Sequence, residues 1–205
     1  MTNKIRILLA EDQAMVRGAL TVLLQLEDDL EVVAEVSKGD QVVPAAVKSK
    51  PDIALLDIEM PGSDGLSAAE ALHESLPSCR IVILTTFGRS GYLRRAMESG
   101  AVGFLLKDAP ADQLAIAIRR VMAGERVVDP DLALSALSDG DNPLTGRERD
   151  VLRASLDGAS IADIAAQLYL SEGTVRNHIS TAIQKLNVHN RMEAAHLAKE
   201  RGWLY

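Results

Sequence analysis

Residues 52–65 read DIALLDIEMPGSDG. An apolar run, Ile53-Ala54-Leu55-Leu56, ends on Asp57, and the turn formers Pro61 and Gly62 follow. A short apolar run bounded by such residues is the pattern of a strand covered on both faces, as in a parallel sheet. It delivers one carboxylate to the strand's end. The plainer reading is that this acid caps the next turn or helix. Other acids converging on the same place would overturn it.

Working outward, four more apolar runs, at residues 5–10, 31–36, 81–84 and 102–106, alternate with stretches of helical period over the first 125 residues. In the first such stretch Val16, Ala19, Leu20, Leu23 and Leu24 share one helix face. Five strand-helix repeats predict an α/β domain, a doubly wound five-stranded parallel sheet over residues 1–125. Ligands of such sheets lie beyond the carboxyl ends of the strands. Glu11-Asp12 follow the first strand, Asp57 ends the third, Thr85 closes the fourth and Lys107 the fifth. If strands one and three are neighbours, three carboxylates meet with an ammonium opposite. Carboxylates that close call for a cation, and Mg²⁺, hard and oxygen-seeking, is the natural one. A carboxylate so placed can attack a phosphoryl group and carry it as an acyl phosphate, with the Thr85 hydroxyl available to the phosphate.

Residues 126–141, rich in Asp, Ser and Pro, read as a linker with at most a helical turn. Residues 142–205 read as a small all-α domain. Thr145 and Glu148 form a capping-box signature ahead of a helix that stops at Asp157-Gly158. Ser160 opens IADIAAQL, a turn falls at Tyr169-Leu170, and Ser171 caps EGTVRNHISTAIQKL. In that last helix Val175, Ile179, Ala182, Ile183 and Leu186 form an inward stripe. Thr174, Arg176, Asn177, Ser180, Thr181 and Gln184 then face outward. Arg and Asn pair bidentately with base edges, whereas Ser171, Thr174 and Lys185 suit phosphates. A polar face that meets only water is the commoner fate of such a stripe.

The chain has 205 residues and a net charge of −7, which opposes indiscriminate nucleic-acid binding. The charge is uneven: from Asn142 onward eight basic against seven acidic residues leave +1, so the preceding part carries −8. The single cysteine, Cys79, excludes an internal disulfide and is read as a buried strand residue. No apolar stretch approaches the roughly 20 residues of a membrane span, and the first residues turn acidic early. A cytoplasmic location without membrane insertion is expected.

AED (10–12), LLDIEMPGSDG (55–65), ILTT (83–86) and GFLLKD (103–108) together resemble the four signatures of a two-component receiver domain, which is flavodoxin-like. NPLTGRERDVL, SIADIAAQLYLSEGTVRNHI and KLNVHNRMEAA resemble the LuxR-type helix-turn-helix. The combination is similar to the NarL/FixJ class of response regulators. Within it TTFGRSGYLRRA, GTVRNHIS and GWLY most resemble DesR-type members, which control fatty-acid desaturase expression. The resemblance implies phosphoryl transfer from a sensor histidine kinase to Asp57, with Mg²⁺ on Glu11, Asp12, Asp57 and the main-chain carbonyl of Glu59. Thr85 and Lys107 would engage the phosphate, and Phe104 holds the switch-aromatic position. It further implies double-stranded promoter DNA as partner, contacted by Ser171, Thr174, Arg176, Asn177, Ser180 and Lys185, and a homodimer on phosphorylation. The chain is then no enzyme beyond accepting and slowly losing its own phosphate. Two rivals stay open here: an aspartyl-phosphate hydrolase, with Glu59 as second acid, and a phosphate-independent scaffold. Two departures stand out: Glu-Asp replaces the commoner Asp-Asp pair, and Asp108 stands where many receivers have proline. The first helix and ADQLAIAIRRVMA (111–123), apolar nearly all round, are read as a candidate dimer patch with Ala117 on its surface, against the alternatives that Leu114, Ile118 and Val121 simply bury on their own sheet and that the fourth helix around Tyr92 to Met97 dimerises.

Overall fold

A computed structural model describes residues 4–86, 90–108, 110–130, 132–134, 142–156 and 158–204. Two compact units emerge, dividing near residue 134. In the first, the strands β1 (Ile5–Ala10), β2 (Leu30–Val36), β3 (Ile53–Asp57), β4 (Arg80–Thr85), β5 (Gly103–Leu106) and β6 (Val127–Val128) form one parallel sheet, ordered β2-β1-β3-β4-β5-β6. The helices α1 (Ala14–Gln25), α2 (Val42–Ser49), α3 (Gly65–Ser75), α4 (Ser90–Glu98) and α5 (Ala111–Met122) alternate with the strands.

The expected sheet of five strands is corrected to six. Val127-Val128, read as linker, pairs with Gly103-Phe104 at the sheet edge. Two β-branched residues after Gly124 suffice there, because the neighbouring strand supplies the ladder. Residues 132–134 are helical, with the Ala133 N–H donating to the Asp129 carbonyl. Position 131 and residues 135–141 of the expected linker lie outside the described residues, as does Asp157 of the predicted helix stop.

All five residues of β3 are buried, so the apolar run ending at Asp57 is a central strand. Strand alternation sends Ile7, Leu9, Ile53, Leu55, Val82 and Leu84 into one cluster with Leu24 of α1 and Ala115, Ala117, Ile118 and Val121 of α5. Each fully buried aliphatic of this kind contributes about 1.5–3 kcal/mol. Cys79 is buried just before β4, where burial pushes its thiol up to about 12.

The predicted stripe of α1 is only partly covered. Leu24 is buried, Val16 and Leu20 are half-buried, and Ala19 and Leu23 are exposed. The helix therefore tilts an apolar edge outward. Ala117, placed on the surface by the sequence reading, is 4% exposed and belongs to the core. Helical period turns Ile116, not Ala117, toward solvent, at 42% exposure.

The second unit holds α6 (Gly146–Ser155), α7 (Ile161–Leu168), α8 (Glu172–Leu186) and α9 (Arg191–Glu200). Thr145 and Ser160 begin α6 and α7 through full capping boxes, with Glu148 and Asp163 returning the hydrogen bond. Ser171 accepts from the Thr174 N–H to cap α8. Val175, Ile179 and Ala182 are buried, with Ile183 and Leu186 packed at their edges.

Candidate functional site

Register brings the site together. Ala10 lies beside Leu56, so Glu11 and Asp12 leave β1 alongside Asp57. Thr85 lies beside Leu106, and the Lys107 N–H donates to the Thr85 carbonyl at 2.8 Å. One oxygen from each of Glu11, Asp12 and Asp57 falls within 4.8 Å of the others. Lys107 Nζ is 2.9 Å from Asp57 Oδ2 and 2.5 Å from Glu11 Oε2. Glu11, Asp57 and Thr85 are buried and Asp12 is exposed, so the pocket is walled inward and open on one side. Phe104, three residues before Lys107, is wholly buried.

The loop after Asp57 is fixed from several directions. Gly62 takes φ +83°, a left-handed conformation that glycine adopts without cost. Asp64 caps α3 by accepting from the Leu66 and Ser67 N–H groups. A Cβ on Gly65 would sit 1.8 Å from the Asp57 carbonyl oxygen, so α3 starts against the end of β3 only because this residue lacks one. Arg17 donates to the Glu11 carbonyl at 2.7 Å and holds the acidic pair from α1.

In the helical unit α8 presents Arg176, Asn177, Ser180, Thr181 and Gln184 to solvent, with Thr174 half-exposed. Arg176 meanwhile pairs with Glu172 at 2.7 Å. Lys185, read as suited to a phosphate, is paired within the domain. Its Nζ bonds both carboxylate oxygens of the buried Glu148 on α6, at 3.0 and 2.8 Å. Among the α8 residues read as DNA contacts it is the one bonded to another helix.

Comparison with known proteins matches this division. The response regulator receiver domain profile covers residues 7–119, more than half of the chain, and the profile of bacterial regulatory proteins of the luxR family covers residues 142–198. The chain is a response regulator with a LuxR-type DNA-binding domain. It is 49% identical to the transcriptional regulatory protein DesR of Bacillus subtilis, over 97% of this chain and 98% of that one. It is 48% identical to the uncharacterized transcriptional regulatory protein YvfU of the same organism, over 98% and 100%. Among solved structures, the response regulator ChrA of a heme-sensing two-component system superposes with a TM-score of 0.60 at 34% identity, over 97% and 98% of the two chains.

In this response regulator the electrostatics of the receiver site favour an added cation. Burial raises the Asp57 pKa most, and the Glu11 carboxylate adds to it. Lys107 and the Glu59 main chain pull the other way without cancelling the rise. Burial is also the largest single influence on Lys107, downward, yet its contacts with Glu11 and Asp57 hold its pKa above the ordinary value. Glu11 Oε2 is buried against Lys107, but no well-aligned hydrogen bond reaches it. Three clustered carboxylates facing one ammonium leave excess negative charge and spare oxygen ligands, which fits a hard divalent ion. Glu59, the fourth ligand position implied by resemblance, has an exposed side chain, and its main chain helps to lower the Asp57 pKa. No cis peptide bond occurs among the described residues.

The response regulator also holds features that residue types alone did not disclose. Lys107 bridges two acids rather than standing opposite them. The Arg17 tie to the Glu11 carbonyl ends on a main-chain atom and leaves no mark on side-chain pattern. Gly65 follows Asp64 in a cap signature, and that much could have marked the start of α3, though not its closeness to Asp57.

Proposed function

We propose that Asp57 accepts a phosphoryl group from the phosphohistidine of a sensor kinase, and that the acyl phosphate shifts the chain toward a DNA-binding dimer. A carboxylate oxygen of Asp57 forms the new O–P bond as the N–P bond breaks, and the kinase histidine leaves as neutral imidazole. Glu11, Asp12, Asp57 and the main-chain carbonyl of Glu59 are the residues that would hold Mg²⁺. When bound, that ion offsets the charge of the incoming phosphoryl oxygens. Lys107 exchanges part of its pairing with Glu11 for the phosphate, and Thr85 offers its hydroxyl. Phe104 answers to the altered Thr85 position. The chain turns over no external substrate; it carries and slowly loses its own phosphate.

Dimerisation is assigned to the α1/α5 face. Met15, Leu26 and Ile116 are exposed there, at 87%, 74% and 42%. Leu20, Leu23, Leu26, Leu105, Leu106 and Leu114 help to line an apolar groove of about 310 Å³ between the helices. A face of this kind is poorly suited to water and well suited to a second copy. Two recognition helices so paired meet successive major grooves of an inverted repeat, about 10 bp centre to centre. A sensor kinase and promoter DNA as partners support a cytoplasmic location. DesR and YvfU match it almost equally, which supports a shared regulatory architecture rather than a shared set of regulated genes.

The observation that carries this reading is the buried Asp57 carboxylate 2.9 Å from Lys107 beside two further acids. Acetyl phosphate with Mg²⁺ is expected to label the chain once, on Asp57, through an acid-stable and base-labile bond. Equal labelling of Asp57→Ala, or labelling indifferent to chelator, overturns it.

A further inference from the structure

The turn between α7 and α8 is closed by Tyr169 in the left-handed conformation, φ 56° and ψ 43°. Its N–H reaches the Ala166 carbonyl, and the Leu170 N–H reaches that of Ala165, which completes the helix end. Left-handed backbone suits glycine or asparagine and is unfavourable for a bulky L-residue. Elsewhere in the same domain the rule is kept: Gly158 follows α6, Asn187 ends α8, and Gly202 follows α9, each with positive φ. Only after α7, among these helix ends, does an aromatic residue carry the strain.

Packing does not explain the choice. Leu168 and Leu170, on either side, pack on the cluster of Val151, Ile164, Ala165, Val175 and Ile179. Tyr169 is thrown outward between them and is 95% exposed. A ring that costs backbone strain and covers no apolar surface adds nothing to the fold, and an unfavourable residue held in an outlying conformation points to a function. The position supplies one. Tyr169 lies two residues before the exposed Ser171, the cap of the recognition helix α8. A phenol offers one neutral O–H donor at the end of a rigid arm, and tyrosine O–H groups are among the donors to DNA phosphates.

We infer that Tyr169 is a phosphate anchor, donating its O–H to a backbone phosphodiester oxygen and setting how far the start of α8 enters the major groove. The inference rests on the DNA-binding reading of the helical domain. Its ligand class is the sugar-phosphate backbone, not a base edge.

The test uses the full chain, phosphorylated with acetyl phosphate. The probes are a duplex that the wild type selects from a random pool and a scrambled duplex of equal length. Tyr169→Asn relieves the strain and removes the phenol, so it should melt at or above the wild-type temperature while binding both duplexes about tenfold more weakly. Tyr169→Phe should lose a similar factor on both, since only the O–H is gone. Neither should change the salt slope, because a phenol neutralises no phosphate. Wild-type binding by both variants overturns the inference, as does a loss confined to the selected duplex, which is the mark of base reading. A lower melting temperature for Tyr169→Asn also overturns it, by giving the ring a structural role. Failure of the wild type to select any duplex sinks the DNA-binding reading itself, and the anchor with it.

Discussion

Lys185 on α8 and Glu148 on α6 form a two-oxygen ion pair at 2.8 and 3.0 Å, with the Glu148 side chain 5% exposed. Glu148 Oε2 also accepts from the Thr145 N–H at 2.7 Å, so one carboxylate both caps α6 and anchors the recognition helix. Removing one member of a buried pair costs about 3–5 kcal/mol. With a third of the Lys185 side chain exposed, solvent screening brings the cost of Lys185→Met below that range, to about 2 kcal/mol. Its thermal midpoint should fall, while the salt slope of DNA binding stays that of wild type. A slope lower by about one would instead show a phosphate contact.

The same pair sets an acid limit for the helical domain. Burial alone pushes Glu148 up, but Lys185 and the Thr145 N–H outweigh it and hold the carboxyl below its ordinary 4.5. A depressed carboxyl pKa stabilises the fold above the unfolded value, and that stability drains away as pH falls through the folded value. Circular dichroism melts should show Glu148→Gln less stable than wild type at neutral pH and converging with it in acid below pH 4.5.

Arg176 is held by Glu172 in an exposed pair one helical turn away, an interaction worth about 0.3–0.5 kcal/mol and easily exchanged for a base. Arg176→Ala should lose about 1–3 kcal/mol on the selected duplex and much less on a scrambled one. Equal losses on the two would place Arg176 on the backbone.

On α5, adjacent residues should respond in opposite ways. Ile116 is 42% exposed, whereas Ala117 is 4% exposed inside the core. Ile116→Glu should leave Asp57 labelling intact and prevent the phosphorylation-dependent dimer in sedimentation. Ala117→Glu should unfold the receiver, since an unpaired buried carboxylate costs several kcal/mol, on the order of the stability of a domain.

Gly65→Ala tests how α3 holds Asp57. Its Cβ would need the Asp57 carbonyl, 1.8 Å away, to move. Overpacking of this kind costs about 1–3 kcal/mol or more. Slower labelling of Asp57 with unaltered DNA binding by the unphosphorylated chain is the expected result; wild-type labelling would show that the strand end yields freely.

Local pattern was enough wherever one element decides its own form. The apolar run ending at Asp57 could only be a covered strand, and Thr145, Ser160 and Ser171 mark helix starts because capping needs an acceptor within one turn. The acids at the ends of β1 and β3 were legible because a parallel sheet aligns its strand ends whatever fills its core, though only the strand order made those two strands neighbours. Tertiary structure alone decided what depends on distance and direction between elements. Which face of α5 is covered turns on how the helix lies over the sheet, and one residue of rotation exchanges Ile116 for Ala117. The short β6 exists because β5 offers an open edge, not because Val127-Val128 would extend alone. Lys185 looks like any exposed lysine of a polar helix until Glu148, 37 residues earlier, is brought beneath it. Sequence spacing encodes a helix face well; it does not encode which buried charge from another helix will meet that face.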